Sequence, residues 1–162
     1  MKILLLIRHA KSDWANPLLR DFDRPLNDRG KKDAPKMAER LLERKIRIDA
    51  FISSPAKRAA KTATIIAEAF GKKKDMIIFK EKLYLASPDF FRDTVKGLEK
   101  DWDTVAIFSH NEGITDYANE LTAVRVDNIP TCGIFAVKAD IKSWKEFEKA
   151  EKEFWFFEYP KM

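Results

Sequence analysis

The chain has 162 residues, 45% hydrophobic and 35% charged, with only 5 glycines and 7 prolines. That much apolar side chain excludes a disordered or low-complexity chain, and the length suits one domain over residues 1–162. Net charge is +5, from 31 Lys and Arg against 26 Asp and Glu, a balance that favours anionic ligands.

The first apolar run, Ile3–Ile7, reads as a strand buried on both faces of a parallel sheet. It is too short to span a bilayer or to form the core of a signal peptide, so a soluble, unprocessed, cytoplasmic protein with no membrane contact is expected. Asn27 is placed to cap a helix with the stripe Ala34, Met37, Ala38 and Leu41, in which Pro35 should kink or disturb the first turns. Asp49–Ser53 is a second strand. Ser54-Pro55 then reads as cap and first residue of a helix whose stripe is Thr62, Ile65, Ile66 and Ala69, ended by Gly71. Met76–Phe79 is a third strand, and Ser87-Pro88 opens a helix carrying Phe91, Thr94, Val95 and Leu98 on one face. Thr104–Phe108 is the next buried strand, followed by a helix with the stripe Ile114, Tyr117, Ala118 and Leu121. Gly133–Val137 and Glu153–Tyr159 close the chain as two strands around a segment containing Trp144. This alternation predicts an α/β fold, a three-layer α/β/α sandwich with a mostly parallel central sheet and an antiparallel edge from the tail.

A single cysteine, Cys132, can form neither an internal disulfide nor a thiolate cluster, and two histidines are too few for a dedicated transition-metal site. No metal and no cofactor are expected. The one dense basic cluster, Lys72–Lys74, runs into Asp75 and reads as a solvated loop, so no nucleic-acid partner is expected either. Phosphate-loop, dinucleotide, zinc-protease and nucleophile-elbow motifs are absent.

Both histidines follow buried strands: His9 after Ile3–Ile7 with Arg8 between, and His110 after Val105–Phe108 with Ser109 between. Open α/β sheets bind ligands at those strand ends. Two inert, hydrogen-bonded histidines remain the alternative at this point. Arg8 beside His9, and Arg58 in the first turn of the second helix, can bring two guanidinium forks to the same edge. Two forks and two imidazoles would cradle a phosphate or carboxylate.

The residues carry a resemblance. Arg8-His9-Ala10-Lys11-Ser12, then Arg24-Pro25-Leu26-Asn27-Asp28-Arg29-Gly30, Ser53–Ala63 with Arg58, and Ser109-His110-Asn111-Glu112-Gly113 resemble, in order, the motifs of the histidine phosphatase superfamily. Within it the short chain and the first two blocks are similar to SixA-type phosphohistidine phosphatases. Ala10 stands where glycine is commonest, and the turn after His9 should keep negative φ.

The resemblance implies a phosphoglycerate-mutase-like fold and a metal-independent phosphatase working through a phosphohistidine intermediate. It implies His9 as nucleophile, with Arg8, Arg58 and a cationic His110 around the phosphoryl oxygens, Arg24 as a further phosphate contact, and Glu81 as the proton donor. Arg24 could instead pair with Asp21 or Asp23, and Glu81 could be a solvated residue between two lysines. The expected substrate is a phosphorylated protein, through its phosphohistidine, or a small phosphorylated molecule, handled by a monomer or weak oligomer. A broad phosphomonoesterase or mutase, and a phosphate-binding module without turnover, are the competing functions.

Overall fold

The structure is a computed structural model and describes residues 1–161. Its strands are β1 (Lys2–Arg8), β2 (Ala50–Ser53), β3 (Ile78–Phe79), β4 (Thr104–Ser109), β5 (Ile134–Ala139) and β6 (Glu153–Glu158). They form one sheet in the order β3-β2-β4-β1-β5-β6. The first four run parallel, and β5 and β6 add the expected antiparallel edge.

Each sheet face carries its own helices. Leu5 and Ile7 of β1 point into a core with α1 (Asp28–Glu43) and α2 (Lys57–Ala69). Leu4 and Leu6 point into another with α3 (Pro88–Lys96), α4 (Gly113–Leu121), Trp144 and Phe147. That is the period-two alternation of a strand covered on both sides. The aromatic stretch of β6 also serves both faces, but a bulge at Trp155 breaks the alternation: Trp155 and Phe156 join the first core, Phe154 and Phe157 the second. Lys2 is buried at the opposite end of the sheet from the histidines, its ammonium held by the Asp103 carboxylate at 2.9 Å and the Trp102 carbonyl at 3.1 Å.

Asn27 caps α1, its side-chain oxygen accepting from the Gly30 N–H at 2.8 Å. Contrary to expectation Pro35 does not interrupt this helix, which runs on to Glu43. Pro35 faces solvent, where water can serve the carbonyl that loses its partner. The start of α2 also differs. Ala56 is at the cap position, and Ser54 instead accepts from the Ala56 N–H in a local turn, at 3.2 Å. Its far end is as read: Gly71 at φ +76° closes the helix, with Gly71 N–H bonded to the Glu68 carbonyl and Lys72 N–H to that of Ala67. The strand expected over Met76–Phe79 shrinks to two residues, because Lys74–Met76 coils into a short 3-10 turn. Ala10 has no positive φ, as expected.

Candidate active site

Strand register brings the two histidines together. Arg8 pairs with Ser109 across β1 and β4, so the next residue on each strand is a histidine, and His9 N–H donates to the Ser109 carbonyl at 3.1 Å. The ring centroids lie 5.1 Å apart. On the other side of β4, Ser53 pairs with Phe108, which carries Ser54 to His110: Ser54 Oγ and His110 Nε2 are 2.8 Å apart. The Ser54 oxygen also accepts from the Ala56 N–H, so one hydroxyl ties the His110 ring to the start of α2.

The His9 tautomer is fixed by its partner. Its Nδ1–H donates to the Ala10 carbonyl at 2.7 Å, leaving a lone pair on Nε2. Ala10 is in turn fixed by the Thr62 hydroxyl, which accepts from Ala10 N–H at 2.9 Å and donates to the Arg58 carbonyl at 2.8 Å. Burial pushes the His9 pKa down to about 3, with the charges of Arg58, Arg8 and Arg24 acting in the same direction. His9 is therefore a neutral imidazole at pH 7, with one nitrogen free to attack an electrophile.

Arg58 is the second residue of α2 and only 3% exposed. Its Nε points at His9 Nε2 from 3.4 Å, while Nη1 donates to the Asp21 carbonyl at 2.7 Å and Nη2 to the Asp21 carboxylate at 2.9 Å. Arg8 donates through Nη1 to the Ile129 carbonyl at 3.0 Å. Two buried polar atoms here have no partner within the protein: Arg8 Nε and His110 Nδ1. Arg8 Nε carries a hydrogen, and a buried donor without an acceptor costs about 1–3 kcal/mol. An anion bound beside His9 would supply that acceptor.

The cationic His110 expected from the sequence depends on a phosphate beside it. Burial, with His9, Arg58 and Arg8 adding to it, pushes the pKa of His110 itself well below the usual histidine value. A second proton on His110 requires the countercharge of an anion.

Arg24 reaches the site, as expected, but through Asp21. Its Nε and Nη2 donate to Asp21 Oδ1 at 3.3 and 2.9 Å, its Nη1 donates to the Ser12 hydroxyl, and the exposed Trp14 ring lies 3.4 Å from its guanidinium carbon. Asp23 pairs with Arg20 instead. Glu81 is not brought to the histidines. It is exposed in the turn Glu81–Leu83 and lines a separate groove of about 550 Å³ with Lys80, Lys82, Asp93 and Trp102.

The carboxylate that does meet the arginines is Asp21, which also accepts from the Tyr84 hydroxyl at 2.6 Å. Tyr84 packs edge-on against His110, with ring centroids 5.4 Å apart. Sequence reasoning names Asp21 only as one possible partner of Arg24. Its contacts with Arg58 and Tyr84 join residues 37 and 63 positions away, a convergence that no local motif encodes.

Fold and site together define an α/β enzyme that handles phosphoryl groups with histidine and arginine. Residues 4–83 match the family model of the histidine phosphatase superfamily, branch 1. A chloroplastic protein of Arabidopsis thaliana is 30% identical over 153 residues, 88% of this chain and 69% of its own length. Phosphoserine phosphatase 1 of Hydrogenobacter thermophilus is 42% identical over 81 residues, covering 48% of this chain and 35% of that one. The fold is shared with the protein histidine phosphatase SixA solved with tungstate: TM-score 0.83, 19% identity, 98% and 97% of the two chains covered. The chain belongs to the histidine phosphatase superfamily and is a phosphatase with the phosphoglycerate-mutase-like fold.

Proposed function

We propose that this phosphatase works by transferring the phosphoryl group to His9 Nε2, and that its substrate is a phosphohistidine side chain of a protein. The observation that carries the covalent route is the pairing of a neutral, tautomer-locked His9 with two buried nitrogens, Arg8 Nε and His110 Nδ1, that have no partner among the described residues. The Nε2 lone pair forms the new N–P bond as the bond from phosphorus to the leaving group breaks. Water then attacks the phosphorus, the N–P bond breaks, and inorganic phosphate leaves. Arg8, Arg58 and His110 face charge spread over the phosphoryl oxygens, and His110 takes up a proton as that charge arrives.

The substrate assignment rests on the proton donor. Burial alone would raise the Asp21 pKa, but hydrogen bonds from Tyr84, Arg24 and Arg58 more than offset this and hold it well below the usual carboxylate range. Asp21 therefore carries no proton to give, and Glu81 faces another groove. An alkoxide leaving group needs a placed acid; the imidazole of phosphohistidine brings its own proton and leaves without one.

The test is phosphate release from a phosphohistidine protein, phosphoserine and an aryl phosphate, each with and without chelator. Chelator-insensitive release with a kcat/KM at least ~100-fold higher on the phosphohistidine protein is expected. Preference for phosphoserine would move the substrate to small phosphomonoesters, and loss of activity with chelator would overturn the route.

A further inference from the structure

Asp21 is the one acidic group drawn into a nest of cations that would hold a phosphoryl anion more tightly without it. Its carboxylate and its backbone carbonyl together occupy both Nη atoms of Arg58, the carboxylate takes two donors of Arg24, and the Tyr84 hydroxyl closes on the oxygen shared with Arg58. The short turn Asp21–Asp23 that carries it meets the start of α2 through Arg58, and its own backbone is tied by the Asp23 N–H to the Arg20 carbonyl at 3.0 Å and the Arg24 N–H to the Asp21 carbonyl at 3.2 Å. A carboxylate amid anion-binding arginines lowers ground-state affinity for phosphate by like-charge repulsion. Its presence needs a compensating role.

Geometry supplies one. A guanidinium has three edges from which it can donate, and a phosphate can recruit any of them. With one hydrogen of each Nη held by Asp21, the guanidinium is oriented so that its Nε points at His9 Nε2, 3.4 Å away. That is the edge adjacent to the nitrogen on which the N–P bond forms. We propose that Asp21, steadied by Tyr84, is a positioning residue that fixes the Arg58 guanidinium for the trigonal transition state at His9 and gives up ground-state phosphate affinity to do so. This rests on the covalent route proposed above.

Such a role separates transition-state from ground-state binding, because only interactions stronger in the transition state raise kcat. In Asp21→Asn one acceptor oxygen remains but the charge is gone, and Arg58 is held less firmly, with the main-chain carbonyl as its one unchanged partner there. Turnover number should fall about tenfold or more, while the Kd for inorganic phosphate, measured by calorimetry, should stay the same or tighten. Vanadate, which becomes five-coordinate on a histidine nitrogen, reports the transition-state geometry without turnover. Its affinity advantage over phosphate should shrink by a factor similar to that in kcat. Tyr84→Phe should shift both quantities in the same directions by less. Asp23→Asn removes an equal charge two residues away, from a carboxylate paired only with exposed Arg20, and should leave all three quantities unchanged.

A kcat of Asp21→Asn within twofold of wild type, or above it, would overturn the proposal. So would a parallel loss of kcat and phosphate affinity, the mark of a loosened fold. If the wild-type chain releases phosphate from no substrate, the covalent reading fails. The vanadate-to-phosphate ratio then still decides the role of Asp21, and an unchanged ratio in Asp21→Asn would sink it.

Discussion

At the scale of single residues, the site works by holding histidines neutral in a cationic surrounding, and this has a measurable cost. His9 titrates near 6.5 when unfolded and at about 3 when folded, so between those values the unfolded chain binds more protons. Stability contributed by neutral His9 is thus full above pH 6.5 and drains away as pH falls toward 3. By pH 5 the loss from His9 is on the order of 2 kcal/mol relative to pH 8. His110, lowered for the same reason, adds to it in the same direction. Urea unfolding at pH 8 and pH 5 should show this decline in the wild type and a clearly shallower one in His9→Asn. An equal decline in both would mean the depressed pKa is not real. The same residue carries the reaction: His9→Ala should lower turnover by orders of magnitude while phosphate binding falls less, because Arg8, Arg58 and His110 remain. Arg58→Ala and His110→Ala should each cost about 3 kcal/mol of transition-state stabilisation, and the double variant clearly less than their sum. Full additivity would mean that the two do not share a phosphoryl group. Because Arg58 is buried and paired with Asp21, its removal also leaves a cavity and an underused carboxylate, so melting temperatures must accompany the rates.

At the scale of elements, the site depends on how closely the loops after the strands can approach one another. Gly113 opens α4 three residues after His110, and a Cβ there would lie 1.6 Å from the Ala86 carbonyl oxygen. That contact is with backbone and cannot be relieved by turning a side chain. Gly113→Ala should cost about 3 kcal/mol in denaturant unfolding and should lower activity through displacement of His110; a change under about 0.5 kcal/mol would show that the two loops yield freely. Much at this scale was legible in the sequence. Buried strands such as β1 and β4 announce themselves as continuous apolar runs, and helices by their stripes. A histidine directly after two such runs marks the ligand-binding edge, and Arg58 in the first turn of a helix points to it. What failed to show depends on contacts from afar. Ser54 looked like a helix cap because serine before proline has that local chemistry, yet its hydroxyl is claimed by His110 from the neighbouring strand. Pro35 is expected to kink or disturb the first turns of α1, yet the helix runs through it, because Pro35 lies on the exposed face where water can serve the freed carbonyl. Glu81 matched an expected position along the chain, but the 3-10 turn that holds it faces another groove. Asp21 went unassigned because its role exists only once α2 and the Tyr84 segment close around it.

At the scale of the whole molecule, three guanidiniums and two imidazoles converge on a site with one carboxylate, so the fold holds a concentration of positive charge that it does not itself neutralise. Sheet and helices bear this strain: Arg8 is anchored on β1, His110 follows β4, and Arg58 lies in α2, each rooted in a buried core. An anion that binds the folded chain and not the unfolded one relieves the repulsion and raises stability by mass action. At 100 times its Kd, inorganic phosphate should add about 2.7 kcal/mol. For a domain of this size that corresponds to a rise in Tm of roughly 5–10 °C. Salt in general also stabilises proteins by exclusion, so the comparison is phosphate against chloride at equal ionic strength. The discriminating variant is Arg8→Ala. It removes a half-buried cation whose Nε has no acceptor among the described residues and whose Nη1 partner, the Ile129 carbonyl, keeps the Asn111 amide as a donor, and so should change the melting temperature in chloride little. It should nevertheless remove most of the phosphate-induced rise. A rise that survives in Arg8→Ala would mean that phosphate stabilises the fold from some other place, and that the unpartnered Arg8 Nε beside His9 is not what the anion satisfies.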